Sequence, residues 1–279
     1  MIILDFSGTI IANLMKYFFM NETEEINEDL VRHMVLSSIK YVNREFKKDY
    51  GRLVISCDAK NYWRKDVFPY YKINRKKKRE ESKINWSEVY EYIDKIKKEI
   101  KENFPYIMIE VDRAESDDVI GMLVKTFWRD EKILIVSRDH DFSQLQRYKN
   151  VSQYSSVDKK FIEVSDPDKF LFEHIIKGDS GDSIPNIFSA GNSIALGIRQ
   201  KPAYQKKIDL WWEDKKVPEE YQERFDLNRR LIDLTQTPKP IQDKILSEFN
   251  SQLSKPRKSL MNYFMEKNLQ QLMSEMQDF

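Results

Sequence analysis

The chain has 279 residues, enough for one large α/β domain or for a catalytic domain with a smaller helical one. Its 47 basic and 46 acidic residues nearly cancel, so net charge identifies no partner and only the distribution of charge can. No two of the 7 glycines form G-x-G, neither a Walker loop nor a nucleophile elbow is present, and a single cysteine excludes an intrachain disulfide and a cysteine-rich zinc site.

Ile2 to Phe6 reads as a first strand. Leu30, Met34, Val35, Ile39, Val42 and Phe46 then recur at helical spacing. Leu53 to Cys57 is a second strand, with Cys57 expected inside it, and Trp86 to Asn103 a helix carrying Val89, Ile93, Ile96 and Ile100 on one face. Tyr106 to Val111 is a third strand, Ser116 to Trp128 a helix and Lys132 to Ser137 a fourth strand. Weaker strand signals lie near Val151–Tyr154 and Phe161–Val164. After Pro167 the β-type runs fade, and the remainder reads as helices punctuated by Pro185, Pro202, Pro218, Pro238 and Pro240. The alternation predicts an α/β fold with a mostly parallel sheet flanked by helices. A domain change is expected near residue 180, dividing the chain into 1–180 and a helical region over 181–279. No stretch approaches the ~20 apolar residues of a membrane span. The opening strand is unlike a secretory leader, and the lone cysteine fits a reducing compartment, so a cytoplasmic location is expected.

The most unusual segment is 64–83, with nine basic residues against three acidic ones, a local net of +6. Phe68, Tyr70 and Tyr71 are interleaved, and Tyr62 and Trp63 precede it. Cations neutralise phosphates and aromatic rings stack on bases, so this segment points to nucleic-acid binding rather than to a merely solvated face.

Acidic residues recur at strand ends. Asp5 ends the first strand, Asp58 the second, Glu115, Asp117 and Asp118 follow the third, and Asp139 and Asp141 follow the fourth. Asp179 and Asp182 form a further i, i+3 pair. In open α/β sheets the ligand crevice lies at the carboxyl ends of the strands. Two carboxylates about 4 Å apart repel by about 4 kcal/mol at an effective dielectric of about 20, so such a cluster protonates or binds hard divalent ions. Two Mg²⁺ ions about 4 Å apart can activate a water and stabilise the leaving oxygen of a phosphodiester. The three histidines, His33, His140 and His174, form no H-x-x-x-H pair, so any metal is expected on oxygen ligands.

These residues resemble a family, the structure-specific 5′ nucleases (flap endonucleases and the 5′-exonuclease domains of bacterial DNA polymerases). The chain is most like the ribonuclease H branch from T-even-type bacteriophages. The matching runs are ILDFS at 3–7, YWRKD at 62–66, YYKINR at 70–75, REES at 79–82, PYIMIEVD at 105–112, ESDDVI at 115–120, KILIVSRDHDFSQL at 132–145 and KGDSGDSIPN at 177–186, with a weaker match at 259–269. They cover nearly the whole chain in order.

The resemblance implies a PIN-like nuclease domain, with residues 62–85 as a basic arch, and a C-terminal region containing a helix–three-turn–helix-like element. It implies a 5′-to-3′ exonuclease and flap endonuclease with ribonuclease H activity, a DNA replication enzyme using two Mg²⁺ ions for which Mn²⁺ substitutes. Asp5, Asp58, Asp118 and Asp139 would surround the first ion; Asp141, Asp179 and Asp182 would serve the second. Glu115 and Asp117 match acidic positions of the same cleft. Lys72, Arg75, Asp118 and Asp139 would lie nearest the chemistry. Arg64, Lys65, Tyr71, Lys72, Arg75, Lys76 and Arg79 would meet the strand under the arch, and Arg199, Lys201, Lys206 and Lys207 the duplex. Implied partners are RNA–DNA hybrid and flapped or nicked duplex DNA, with a single-strand-binding protein and a sliding clamp from the replication setting; a monomer is expected.

Two other readings compete. DFSGT at 5–9 resembles the opening of haloacid-dehalogenase-type phosphatases, but Ser7 stands where that chemistry needs a second aspartate. A DNA-binding replication accessory protein that kept the fold without the activity is the other. The apolar tail, with Met261, Phe264, Met265, Leu269, Leu272, Met273 and Met276 at helical spacing, is expected in the core, with a docking helix as the alternative.

Overall fold

The computed structural model describes residues 1–23, 25–254 and 260–279, apart from the side chain of Lys76. In chain order the elements are β1 Ile2–Asp5, α1 Phe6–Asn21, α2 Glu28–Tyr50, β2 Leu53–Cys57, the short α3 Arg64–Val67, α4 Ile73–Glu80, α5 Trp86–Asn103, β3 Ile107–Glu110 and α6 Ser116–Phe127. They continue with β4 Ile133–Val136, a 3₁₀ helix His140–Arg147, β5 Val151–Ser155, β6 Lys160–Ile162, α7 Pro167–Lys177, α8 Gln205–Glu213, α9 Glu219–Ile232, α10 Lys239–Ser251, α11 Leu260–Glu266 and α12 Gln270–Met273.

The strands form one sheet in the order β3-β2-β1-β4-β5-β6, parallel except for the last pair. Both faces are covered, which is why β1, β2 and β4 are apolar without alternation. Ile2 and Leu4 enter a core built with α1, α2 and α5, while Met1 and Ile3 enter a second core built with α6 and α10. Strand order reverses between β1 and β4, so a crevice opens at their carboxyl ends.

Helix α1 is absent from the sequence-based elements. Phe6, Ile10, Leu14 and Phe18 are buried at helical spacing, but Met15, Phe19 and Met20 on the other face are exposed, so no polar face marks the period. The tail is core: Phe264, Leu272 and Phe279 are buried in the first core, the two phenylalanine rings against Phe104, while Met261 and Met265 stay exposed. Among the described residues no helix is long and apolar enough to cross a membrane.

Candidate active site

The carboxyl ends of β1, β2 and β4 and the amino end of α6 border a cleft of about 920 Å³. Asp5 caps α1, accepting a hydrogen bond from Gly8 N–H, and a Cβ at Gly8 would lie 2.2 Å from Asp5 Oδ2. Ser116 and Ser137 hydroxyls donate to its two oxygens at 3.0 and 2.8 Å. Asp58 Oδ1 accepts from Ser116 N–H, and Asp139 caps the 3₁₀ helix by accepting from Asp141 N–H. Asp179 accepts from Gly181 N–H in the turn after α7. Asp5, Asp58, Asp117, Asp139, Asp141, Asp179 and Asp182 thereby line one cleft.

These charges are poorly compensated. Burial, with Asp58 and Asp139 beside it, pushes Asp5 up to about 6. Burial raises Asp117 well above the carboxylate range; Lys72 opposes this, and Asp139, Glu115 and Asp5 add to it. Asp141 rises well through burial and through Asp139, Asp179 and Asp182, and Asp179 through burial and Asp182. Asp182 goes the other way: burial works against its charge, but Lys72, Arg75 and the Tyr71 hydroxyl outweigh it. Carboxylates forced together in this way suit hard divalent cations, and Asp141, Asp179 and His174 offer ligand atoms within 4.8 Å of one another.

Glu115 and Asp118 lie elsewhere. They form the capping box of α6 and have no exposed surface. Arg64 Nη1 reaches Glu115 at 2.8 Å and Asp118 at 2.9 Å. Trp63 Nε1 and Thr237 Oγ1 also donate to Asp118, at 3.1 and 2.7 Å. Asp118 therefore has its acceptors turned to the interior, and its neighbour Asp117 stands in the cleft wall. The alternation of faces at a helix start is invisible in a run such as ESDD. Arg64 likewise is not an exposed nucleic-acid contact: it is 1% exposed and its guanidinium also donates to Leu231 C=O. Tyr71, expected to meet the strand, is buried with its hydroxyl 2.8 Å from both Glu115 and Asp182.

Lys72 sits in the left-handed region at φ 56, which lets the chain turn back and bring its ammonium to Glu115 and Asp182. Arg75 pairs with Asp182, and Lys78 and Arg79 on α4 face the cleft, with Arg79 4.9 Å from the Tyr90 ring centre. Lys65 is exposed but outside the cleft wall, and the side chain of Lys76 lies outside the described residues. Arg199, Lys201 and Lys206 are exposed between and within α7 and α8. Lys207, expected on the duplex, is half-buried, with its ammonium 4.7–5.0 Å from the ring centres of Phe188, Trp211 and Tyr221. Residues that sequence reasoning passed over are Ser116 and Ser137, which hold Asp5, Trp86 and Tyr90 in the cleft wall, and His174. The serines lie inside the ESDD and SRDHD runs, which was the available signal.

Residues 9–174 match the family described as 5′-3′ exonuclease, N-terminal resolvase-like domain, and residues 167–279 match that described as T4 RNase H, C terminal. Ribonuclease H of Enterobacteria phage T4 is 32% identical over 291 residues, spanning 99% of this chain and 95% of that protein. Flap endonuclease Xni of Shewanella sp. strain MR-4 is 30% identical over 145 residues, covering 49% of this chain and 52% of that one. The fold is similar to that of the bacteriophage T5 flap endonuclease in a pseudo-enzyme–product complex with DNA and metal ions. There the TM-score is 0.64 at 18% identity, covering 90% of this chain and 98% of that one. It is also similar to the T5 5′-exonuclease with bound divalent metal ions (zinc), with a TM-score of 0.61 at 18% identity, covering 90% and 98%.

Proposed function

The chain belongs to the 5′-3′ exonuclease family, and from that premise we propose that it removes RNA primers and 5′ flaps during lagging-strand DNA replication. It is a 5′ nuclease, hydrolysing phosphodiester bonds. Water adds to phosphorus, the bond to the 3′ oxygen breaks, and a 3′-hydroxyl and a 5′-phosphate result. The observation that carries the reading is the convergence of Asp5, Asp58, Asp117, Asp139, Asp141, Asp179 and Asp182 on one cleft whose wall includes the basic segment around α4.

The donor set is that of a divalent-ion site, and the raised Asp5, Asp117 and Asp141 fit ions rather than an empty cluster. In this reading Asp5, Asp58, Asp117 and Asp139 hold one ion and Asp141, Asp179 and Asp182 a second. Mg²⁺ is the resident ion, with Mn²⁺ as substitute. When bound, the ions lower the pKa of water and neutralise charge on the leaving oxygen. Ser116 and Ser137 keep Asp5 oriented. Lys72 and Arg75, now paired with Glu115 and Asp182, are placed to exchange those partners for the scissile phosphate. Lys78, Arg79, Trp86 and Tyr90 form the cleft wall along which a single strand would pass.

The substrates in this reading are RNA–DNA hybrid and flapped or nicked duplex DNA, supported by the DNA complex of the T5 flap endonuclease. Residues 181–279 would be a DNA-binding region gripping the duplex through Arg199, Lys201 and Lys206; the two matched families meet at residues 167–174, somewhat before the division proposed near 180. A single-strand-binding protein and a sliding clamp are the partners this setting adds. The test is release of short products from a 5′-labelled RNA–DNA hybrid and a DNA flap, with Mg²⁺ and with EDTA. Asp117→Asn and Asp139→Asn serve as controls. Mg²⁺-dependent cleavage absent from both variants is expected; DNA binding without cleavage would turn the reading to an accessory protein.

A further inference from the structure

His174 lies on the last turn of α7, where its carbonyl accepts from Gly178 N–H at 2.8 Å and so fixes the turn that carries Asp179. Its ring packs edge-on to Phe170. Its Nδ1 is buried, 3.4 Å from Asp141 Oδ1, and has no hydrogen-bond partner within the protein. A buried imidazole nitrogen without a partner costs desolvation unless something else meets it. One ring nitrogen of His174 and one oxygen each of Asp141 and Asp179 lie within 4.8 Å of one another. An ion with bonds of about 2.1 Å sets adjacent ligand atoms about 3 Å apart and opposite ones about 4.2 Å apart. The 3.4 Å between Nδ1 and Asp141 Oδ1 is already near the adjacent spacing, and side-chain rotation would draw in the remaining separations, all of which lie within 4.8 Å.

We infer that His174 is a direct nitrogen ligand of the second divalent ion, beside Asp141 and Asp179. The inference rests on the reading of this cleft as a two-ion site and adds a specific chemistry to it. Imidazole is a poor partner for Mg²⁺ and a good one for later first-row divalent metals. A mixed imidazole–carboxylate site therefore favours Mn²⁺ over Mg²⁺ more strongly than an all-oxygen site does. The three donors come from the 3₁₀ helix, α7 and the turn after it, so the geometry is set by three separate elements and not by one flexible loop. The expectation of oxygen ligands alone is amended at this one position.

The test uses the full chain with Mn²⁺ alone. Pulsed EPR of the bound ion should show nitrogen modulation in the wild type that disappears in His174→Gln and His174→Ala. Calorimetry should show Mn²⁺ affinity of one site falling by roughly tenfold or more in both variants, at least what an outer-shell partner contributes, with Mg²⁺ affinity changed less. Protein-bound Mn²⁺ without nitrogen modulation in the wild type overturns the proposal, and so does modulation that survives both substitutions. The wild-type spectrum needs no variant to fold. If Mn²⁺ remains fully aquated and Asp139→Asn changes nothing, the two-ion reading itself has failed, which is a different result.

Discussion

Arg64 Nη1 and Asp118 Oδ2 lie 2.9 Å apart inside the protein, where the carboxylate has no exposed surface and the arginine only 1%. The same guanidinium holds Glu115, which Lys72 also reaches, so Arg64 bridges two buried anions behind the cleft. Such a pair is costly to break because the survivor is left charged in a poor solvent. Arg64→Met should lower unfolding free energy by about 3–5 kcal/mol in urea titrations, and a loss below about 1 kcal/mol would count against the buried arrangement.

Asp117 and Asp118 are neighbours with opposite duties, and paired substitutions separate them. Asp117→Asn should abolish most turnover while leaving the melting temperature unchanged or raised, since it removes a carboxylate that burial already disfavours. Asp118→Asn should chiefly cost stability, because it takes one oxygen acceptor from among Arg64, Trp63 and Thr237. Single-turnover cleavage and thermal melts on both variants check this; the reverse pattern would return the ion-binding role to Asp118.

A pH dependence follows from Asp5. Its folded value is raised to about 6 from an unfolded 3.8, so the folded protein binds this proton more tightly. The contribution is therefore present at low pH and lost as pH rises through about 4 to 6, on the order of 3 kcal/mol in all. Divalent ions reverse the preference by holding the carboxylate charged. In EDTA, wild type should lose stability relative to Asp5→Asn between pH 4 and 6.5. Added Mg²⁺ should raise the wild-type melting temperature more at pH 7.5 than at pH 5. Equal gains at both values would contradict the assignment.

The sheet was legible because its strands are short, apolar and doubly covered, and the carboxylate edge followed from the rule that ligands meet strand ends. Helix α1 was not, because Phe19 and Met20 leave its outer face apolar. Which of two adjacent aspartates turns inward depends on the capping box of α6 and on Arg64 arriving from a different segment. Sequence spacing carries neither. The family resemblance marked Arg64 and Tyr71 as contacts of the strand, yet each is satisfied inside the protein by partners far along the chain. His174 was passed over for the same reason: Asp141 and Asp179 come to it from either side only in the fold.

The C-terminal residues act as part of the first core. Phe279 is 1% exposed, with ring centres 5.6 Å from Phe104 and 5.3 Å from Phe264, and Tyr263 donates to Glu99 beside Arg32. Deleting residues 270–279 removes Leu272 and Phe279 together, so a loss of about 3–5 kcal/mol or more is expected. Urea unfolding measures it. A truncated protein of wild-type stability would instead favour a docking role for the tail.

Gly8 lies next to Asp5 in space. Alanine is ordinarily better than glycine inside a helix by roughly 0.5–1 kcal/mol, and Gly8 lies in the first turn of α1. Here a Cβ would fall 2.2 Å from Asp5 Oδ2 and 2.9 Å from its carboxyl carbon. The carboxylate must rotate, which breaks its hydrogen bonds from Ser116 and Ser137 and, in the proposed site, takes it away from the first ion. A misplacement of about 1 Å costs about 10²-fold in rate. Gly8→Ala should therefore give no net gain in melting temperature, the lost bonds of Asp5 offsetting the helix preference for alanine, while lowering single-turnover cleavage by about that factor and weakening divalent-ion affinity. Glycine would then be required at this position by the orientation of Asp5, not by the fold of α1. Full activity in the alanine variant would mean that Asp5 works equally well in another rotamer, and that Ser116 and Ser137 do not position it.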